Sequence, residues 1–232
     1  MPDTGLKRSP KFQKGALVQI VPSLVDVEYK IIPFQYNPEK LSHTLTPWNP
    51  FEVDQTQRGA QSPNVQPFDP KESFTFTLEI DASDDLEDND PTAVESGIAV
   101  RLAALKLLAL PIEGGNGELV RSAQAASGTA SEHATRATVP VLLFVWGPGR
   151  ILPVRITSFS VEETLFSPSL FPIQATVSLG LEVLTPDVFK CHPSEAAKRA
   201  IAAYEFTKQK ENERAEAYIN NNVDAIRALL SF

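Results

Sequence analysis

The strongest constraint in the sequence is a two-residue alternation of apolar and polar side chains, repeatedly interrupted by proline. Residues 73–80 (SFTFTLEI) and 173–184 (IQATVSLGLEVL) alternate in this way. Successive side chains of a β-strand point to opposite faces, so both segments are predicted to be strands with one buried face. The chain also contains 19 prolines, many of them between apolar runs, and proline lacks the amide donor that a β-ladder needs. The sequence therefore predicts many short strands separated by turns.

The same pattern extends along most of the chain. Further strands are predicted over residues 15–21, 27–36, 139–147 and 151–166. Residues 34–45 (FQYNPEKLSHTL) are predicted to form a strand, a turn at Asn37 and Pro38, and a second strand, which together make a hairpin.

Two regions have helical periodicity instead. Asp90 followed by Pro91 is a good helix start, and apolar residues then recur at helical spacing up to Pro111: Val94, Ile98, Leu102, Leu105 and Leu108. The second region ends the chain, and its apolar stripe comprises Tyr218, Ile219, Val223, Ile226, Leu229 and Leu230. A stripe of this kind indicates a helix that packs against another surface.

The expected fold class is mainly β (α+β), a small barrel or sandwich with one flanking helix and a C-terminal helical tail. The β domain is expected over residues 1–190 and the tail over residues 191–232. A proline-rich loop at 47–72 and a flexible glycine-rich insertion at 113–137 interrupt the β domain. The predicted core joins the two alternating strands to the first helix: Phe74, Phe76, Leu78, Val177, Leu179, Leu181, Leu102 and Leu105.

Composition limits the classes of function. The formal net charge of -8 argues against general nucleic-acid binding, because no basic face can dominate. The single cysteine, Cys191, excludes a disulfide framework. The first residues lack an apolar signal core, and no apolar run is long enough to span a bilayer. We therefore expect a protein that is made and folded in a reducing cytoplasm and does not span the membrane.

No catalytic or metal-binding constellation is predicted, and no cofactor. The acidic run at 81–90 lacks the glycine of a calcium loop, so acids at a helix N-terminus are the better interpretation. His43, His133 and His192 are scattered, and the side chains of the adjacent Cys191 and His192 would point in different directions. A paired base for Cys191 is not evident either.

The candidate functional residues are instead those expected at a protein interface. They are aromatic or apolar residues and the Asn-Pro turn: Phe34, Tyr36, Asn37, Pro38, Trp48, Phe51, Phe68, Tyr218 and Ile226. For Trp48, interface anchoring and local packing are equally favoured, whereas Trp146 at the end of an apolar strand is expected in the core. His43 has the parity of Leu41 and Leu45, which predicts a packed or a partner-facing side chain.

A set of residues occurs in a fixed order along roughly residues 14–186. The set is Phe34, Asn37 and Pro38; Asp81; Pro140, Phe144, Trp146 and Gly147; Val154 to Val161 with Leu165 and Phe166; and Ala175 to Leu179. Taken in order, these segments resemble the tube-protein family of contractile injection systems, the phage-tail-like particles that bacteria build. The ordered set is more specific than any single motif.

The resemblance implies a tail-tube fold in a hexameric ring. It further implies a baseplate adaptor that joins the inner tube to the spike and initiates tube assembly. The implied partners are other copies of the chain, the adjacent inner-tube ring, the spike and other baseplate subunits. Such a particle assembles in the bacterial cytoplasm, and its release from the cell is left open.

The chain departs from the family at three places. Some relatives carry a lysin-motif domain after the tube domain, where this chain has only its helical tail. The insertion at 113–137 is longer than expected, and residues 167–172 (SPSLFP) stand where a more polar turn is usual. The tail is expected either to fold back on its own β domain or to reach a neighbouring baseplate protein.

Two other classes of function remain as alternatives. A stand-alone module would bind a protein or a glycan through the 47–72 loop. An enzyme is the least favoured alternative, because the sequence offers no acid–base or metal constellation.

Overall fold

The computed structural model describes residues 13–22, 27–48, 68–110, 140–190 and 194–222. The strands are β1 (Ala16–Pro22), β2 (Val27–Pro33), β3 (Leu41–Thr46), β4 (Lys71–Asp81), β5 (Val141–Val145), β6 (Ile151–Phe166) and β7 (Pro172–Val183). The helices are α1 (Ser83–Glu87), α2 (Pro91–Ser96), α3 (Ala99–Leu107), α4 (Pro186–Phe189) and α5 (Glu195–Asn222). The mainly β class with helices is confirmed.

Several expectations fall outside these ranges. The insertion at 113–137 and most of the 47–72 loop lie outside the described residues, as do Phe51, His133, Cys191, His192 and Ile226. The end predicted for the loop is wrong by two residues, since β4 already begins at Lys71.

All seven described strands form one antiparallel sheet in the order β2-β1-β5-β6-β7-β4-β3. The sheet is open: β2 and β3 are its edges, and no described strand pairs with the outer side of either. The predicted barrel is therefore not confirmed. The predicted hairpin at 34–45 is wrong, because β2 pairs with β1 and β3 pairs with β4. Residues 34–40, here called the crossing loop, instead connect the two opposite edges.

The sheet is strongly curved. The ring of Phe34, directly after edge strand β2, lies 5.5 Å from the ring of Phe76 in β4. β2 and β4 are five strand positions apart, which in a flat sheet would be about 24 Å at about 4.8 Å per strand. The curvature brings side chains from nearly the whole sheet into one core on the concave face.

The predicted core is confirmed. All six residues from β4 and β7 are buried, and Leu102 and Leu105 of α3 lie in the same cluster. The single helix predicted from Pro91 to Leu110 is divided, however, into α2 and α3 at Gly97, whose φ is +56°. A Cβ at Gly97 would lie 2.2 Å from the carbonyl oxygen of Pro172, so the close approach requires glycine. The break leaves Val94 61% exposed, so its place in the predicted stripe is wrong.

The first half of α5 covers the convex face of the sheet. Ala196 packs in a cluster with residues of β1 and β5, among them Val18 and Leu143. Thr207 is fully buried; its hydroxyl accepts from the Ile151 N–H (2.9 Å) and donates to the Ile151 carbonyl (2.7 Å). Both faces of β5 are therefore covered, which explains its unbroken apolar sequence. Side chains 212–219 are exposed, so the packing supports the fold-back alternative for the first half of the tail.

The core assignment predicts a large effect of Phe76→Ala. Phe76 is buried between Phe34 and Phe144, with both ring centroids 5.5 Å away. Removing a buried phenylalanine ring typically costs about 3–5 kcal/mol, and denaturant unfolding should show a loss of this size. The control is Thr77→Ala, the exposed neighbour in β4. An unchanged unfolding midpoint for Phe76→Ala would show that this core is wrongly assigned.

Candidate interaction surface

The crossing loop is fastened to the residues before β1 by hydrogen bonds. The N–H of Phe34 donates to the carbonyl of Gly15 (2.9 Å), and the Gly15 N–H donates to Asn37 Oδ1 (2.8 Å). Asn37 Nδ2 donates to the carbonyl of Gln13 (2.8 Å). Asn37 thus joins two distant segments of the chain rather than closing a hairpin turn.

Phe34 belongs to the core and not to the surface. Its side chain is 2% exposed and lies against Phe76 and Trp146, whose ring centroid is 6.5 Å away. A Cβ at Gly15 would lie 2.8 Å from both the Phe34 and Trp146 rings, so this packing requires glycine. The predicted interface role of Phe34 is corrected accordingly, because a buried ring cannot reach a neighbour. Trp146 packs against the core, as predicted.

Gln35 binds the end of β4 as a further strand would. Its Nε2 donates to the Asp81 carbonyl (2.7 Å), and the Asp81 N–H donates to its Oε1 (3.0 Å). Arg101 of α3 donates to Gln35 Oε1 (3.1 Å) and to the Asp81 carbonyl (3.0 Å), and it pairs with Asp85 of α1 at 2.6 Å. This network, the Gln35–Asp81 clasp, holds the crossing loop against β4 and two helices.

The Asp81 side chain takes part in the same network. A side-chain hydrogen bond from Ser83 is the main cause that lowers its pKa, and Gln174 and the charge of Arg101 lower it further. Gln174 Nε2 donates to Asp81 Oδ2 at 2.7 Å. These partners favour the ionised carboxylate in the folded state, which is why the pKa is lowered.

The clasp also indicates which backbone groups of β3 face outward. Since Gln35 binds both backbone groups of Asp81, these groups point away from β7. The two-residue period of a strand then directs the backbone groups of Thr75 and Ser73 toward β3, where they pair with Ser42 and Thr44. The N–H and C=O groups of His43 and Leu45 consequently face the open side of the sheet.

The His43 side chain is packed within its own chain. Its ring stacks on Phe74 at 4.5 Å, and Nε2 lies 2.9 Å from Glu72 Oε1. Glu72 is 3% exposed, and its other oxygen is 3.5 Å from Lys208 Nζ of α5. A buried carboxylate requires such partners. His43, Glu72 and Lys208 therefore tie edge strand β3 to α5.

The other predicted interface residues occupy separate places. Tyr36, Asn37 and Pro38 line a shallow depression with Thr75 and Thr77, beside the part of β4 that extends beyond β3. Tyr36 and Phe68 are exposed, and Trp48 is half-buried. Tyr218 is exposed on α5 and lies outside the depression.

In the described part of the chain, no group of three or more His, Cys, Asp or Glu side chains could hold a metal ion. None of the described helices is long and apolar enough to cross a membrane.

The clasp predicts an acid-dependent effect of Asp81→Asn. A lowered carboxyl pKa contributes stability that is present above the unfolded pKa, about 3.9, and is lost as the pH falls through the lower folded pKa. The difference in Tm between wild type and variant should be largest near neutral pH and should shrink below about pH 4. Glu79→Gln, on an exposed side chain of β4, controls for the loss of one charge. A Tm difference independent of pH would contradict this role for Asp81.

The comparisons with known proteins do not identify a family. No protein-family model matches the chain, and no curated protein matches it.

Proposed function

We propose that the protein is a ring-forming structural subunit of a contractile phage-tail-like injection particle, in which it joins the inner tube to the spike and initiates tube assembly. The family and the position in the particle rest on the ordered resemblance of residues 14–186. The observation that carries the ring is the open sheet, which has two edges, β2 and β3, without a described strand partner on their outer sides.

Edge strand β3 is suited to pairing with another chain. Soluble proteins usually protect an exposed edge with proline, or with lysine or another charged residue. β3 (LSHTLT) contains no lysine, proline or acid, and Leu45 is 51% exposed. Its one titratable residue, His43, is 39% exposed and lies against Glu72. The outward backbone groups of His43 and Leu45 are therefore accessible to a strand from a neighbour.

The complement proposed for β3 is the other edge of the sheet, strand β2, although β2 carries Glu28, Lys30 and Pro33, residues of the kind that protect an edge. If β3 of one copy adds to β2 of the next, the contact joins two different surfaces and is heterologous. A heterologous contact generates a closed ring when the rotation closes and an open filament when it does not. The edges of the open sheets are then paired around the ring, which removes the exposed edges.

Leu45→Pro tests this proposal without disturbing β3–β4 pairing. The Leu45 N–H faces the open side, so proline removes a donor available to a neighbour but none bound to β4. We expect the wild type to form a closed ring, six copies by the resemblance, and Leu45→Pro to remain folded and monomeric. Native mass spectrometry and negative-stain electron microscopy measure both states.

Two controls separate the backbone effect from other causes. Leu45→Ala shortens the side chain but keeps the N–H, and it should still assemble. Thr44→Pro removes a donor that β4 uses and should lower Tm. The ring proposal fails if the wild type stays monomeric, alone and with the tube and spike proteins of the same particle, or if Leu45→Pro assembles like the wild type.

A further inference from the structure

The β6–β7 hairpin ends in an exposed cluster of large apolar side chains, here called the apolar tip: Leu165, Phe166, Leu170 and Phe171. Leu170 is 80% exposed. The tip lies beyond the last residue pair of β4 and β7, Asp81 with Gln174. None of its four side chains belongs to a described core cluster.

The backbone of the tip is also unfavourable for leucine. Leu165 and Leu170 have φ values of +50° and +63°, a region that bulky residues rarely occupy and that glycine or asparagine tolerates. At both positions a bulky leucine therefore occupies an unfavourable backbone conformation and exposes its apolar side chain to solvent. Strain of this kind is concentrated at functional sites.

The tip is nonetheless well formed. The Ser167 N–H donates to the Phe171 carbonyl (2.8 Å), and the Phe171 N–H donates to Ser167 Oγ (3.1 Å). The Leu170 N–H donates to the Ser167 carbonyl (2.9 Å). These bonds order the backbone of the turn, so little backbone freedom remains to be lost on binding.

A recess lined mostly by apolar side chains lies elsewhere on the same chain, between the end of β2 and α3. This apolar groove encloses about 310 Å³. Phe34, Leu78 and Ile80 form its buried floor, and Ile31 and Val100 are exposed at its rim. Ala104 and Arg101 of α3 also line it; the short side chain of Ala104 leaves space in the groove, and Arg101 is its one charged lining residue.

We propose that the apolar tip of one copy inserts into the apolar groove of the next copy. The proposal deepens the ring function and rests on it, since it names a contact between ring subunits. No tip residue lines the groove of its own chain, and a knob that fits a recess elsewhere on the same molecule makes a heterologous contact. The groove adjoins edge β2, and β7 lies two positions from edge β3. The groove is therefore close to an edge where copies meet, whereas the tip projects from the end of the sheet at strands β6 and β7.

The first test separates assembly from stability. In the double variant Leu165→Asn, Leu170→Asn, asparagine suits the backbone and removes exposed apolar surface. We expect Tm to stay the same or rise, while the concentration for half-assembly, measured by mass photometry, increases at least tenfold. Val188→Asn, at an exposed apolar position on α4, should change neither quantity.

The second test locates the contact by cross-linking. In a Cys191→Ser background, full-length Leu170→Cys protein is mixed with Ala104→Cys protein and oxidised. We expect a 170–104 disulfide between chains, at a yield well above that of Leu170→Cys mixed with Glu205→Cys, whose cysteine lies on an exposed position of α5. Ala104→Glu, which places a charge in the groove, should weaken assembly as the tip variant does.

The outcomes distinguish this contact from the ring itself. Rings that form normally without the 170–104 disulfide, and with the asparagine variant unaffected, overturn the tip–groove contact and leave the ring function standing. A 170–104 disulfide without closed rings, both alone and with the tube and spike proteins, supports the contact between copies and refutes the ring. If the asparagine variant self-assembles but loses binding to the tube or spike protein, the tip serves a different partner and the proposal is wrong.

Discussion

The packing of Phe34 on Phe76 is the contact on which the rest of the structure depends. It joins the residue after one edge of the sheet to the strand beside the other edge, so it holds the curvature. The absence of a Cβ at Gly15 makes room for it. Asn37 and the Gln35–Asp81 clasp fasten the crossing loop on either side, with hydrogen bonds of 2.7 to 3.0 Å. An apolar contact and two polar attachments therefore set the spatial relation of the two edges.

A curved sheet held in this way leaves its two edges without a described strand partner and its hairpin tip exposed. α5 supports the convex face, and the buried carboxylate of Glu72 connects it to edge strand β3 through Lys208 and His43. Edge β3 is thus held by β4 and, through Glu72, by α5, while its outward backbone groups pair with no described strand. The turn of the apolar tip is ordered by hydrogen bonds of its own. These features suit a subunit whose function is assembly, since preorganised surfaces lose little entropy when they bind.

The sequence predicts which face of each strand is buried better than it predicts which strands pair. Alternation in β4 and β7 identified Phe74, Phe76 and Leu179 as core, because side-chain period depends only on local geometry. The same signal cannot say which strand lies alongside, so the hairpin at 34–45 was wrong. The Gly97 break in the helix arises from a distant carbonyl, and the clasp of Gln35 depends on a side-chain amide with no periodic signature. Among the predicted interface residues, Phe34 is in the core. Its burial depends on the curvature of the whole sheet, which a local pattern does not show.

Hydrogen exchange at single-amide resolution is the most direct test of the claim that the edges pair between copies. In the dissociated chain the amides of Ser42 and Thr44, which face β4, should exchange slowly, and those of His43 and Leu45, which face the open side, should exchange rapidly. On assembly the account predicts that the His43 and Leu45 amides become protected while Ser42 and Thr44 change little. Rapid exchange of His43 and Leu45 in the assembled particle would contradict edge pairing at β3.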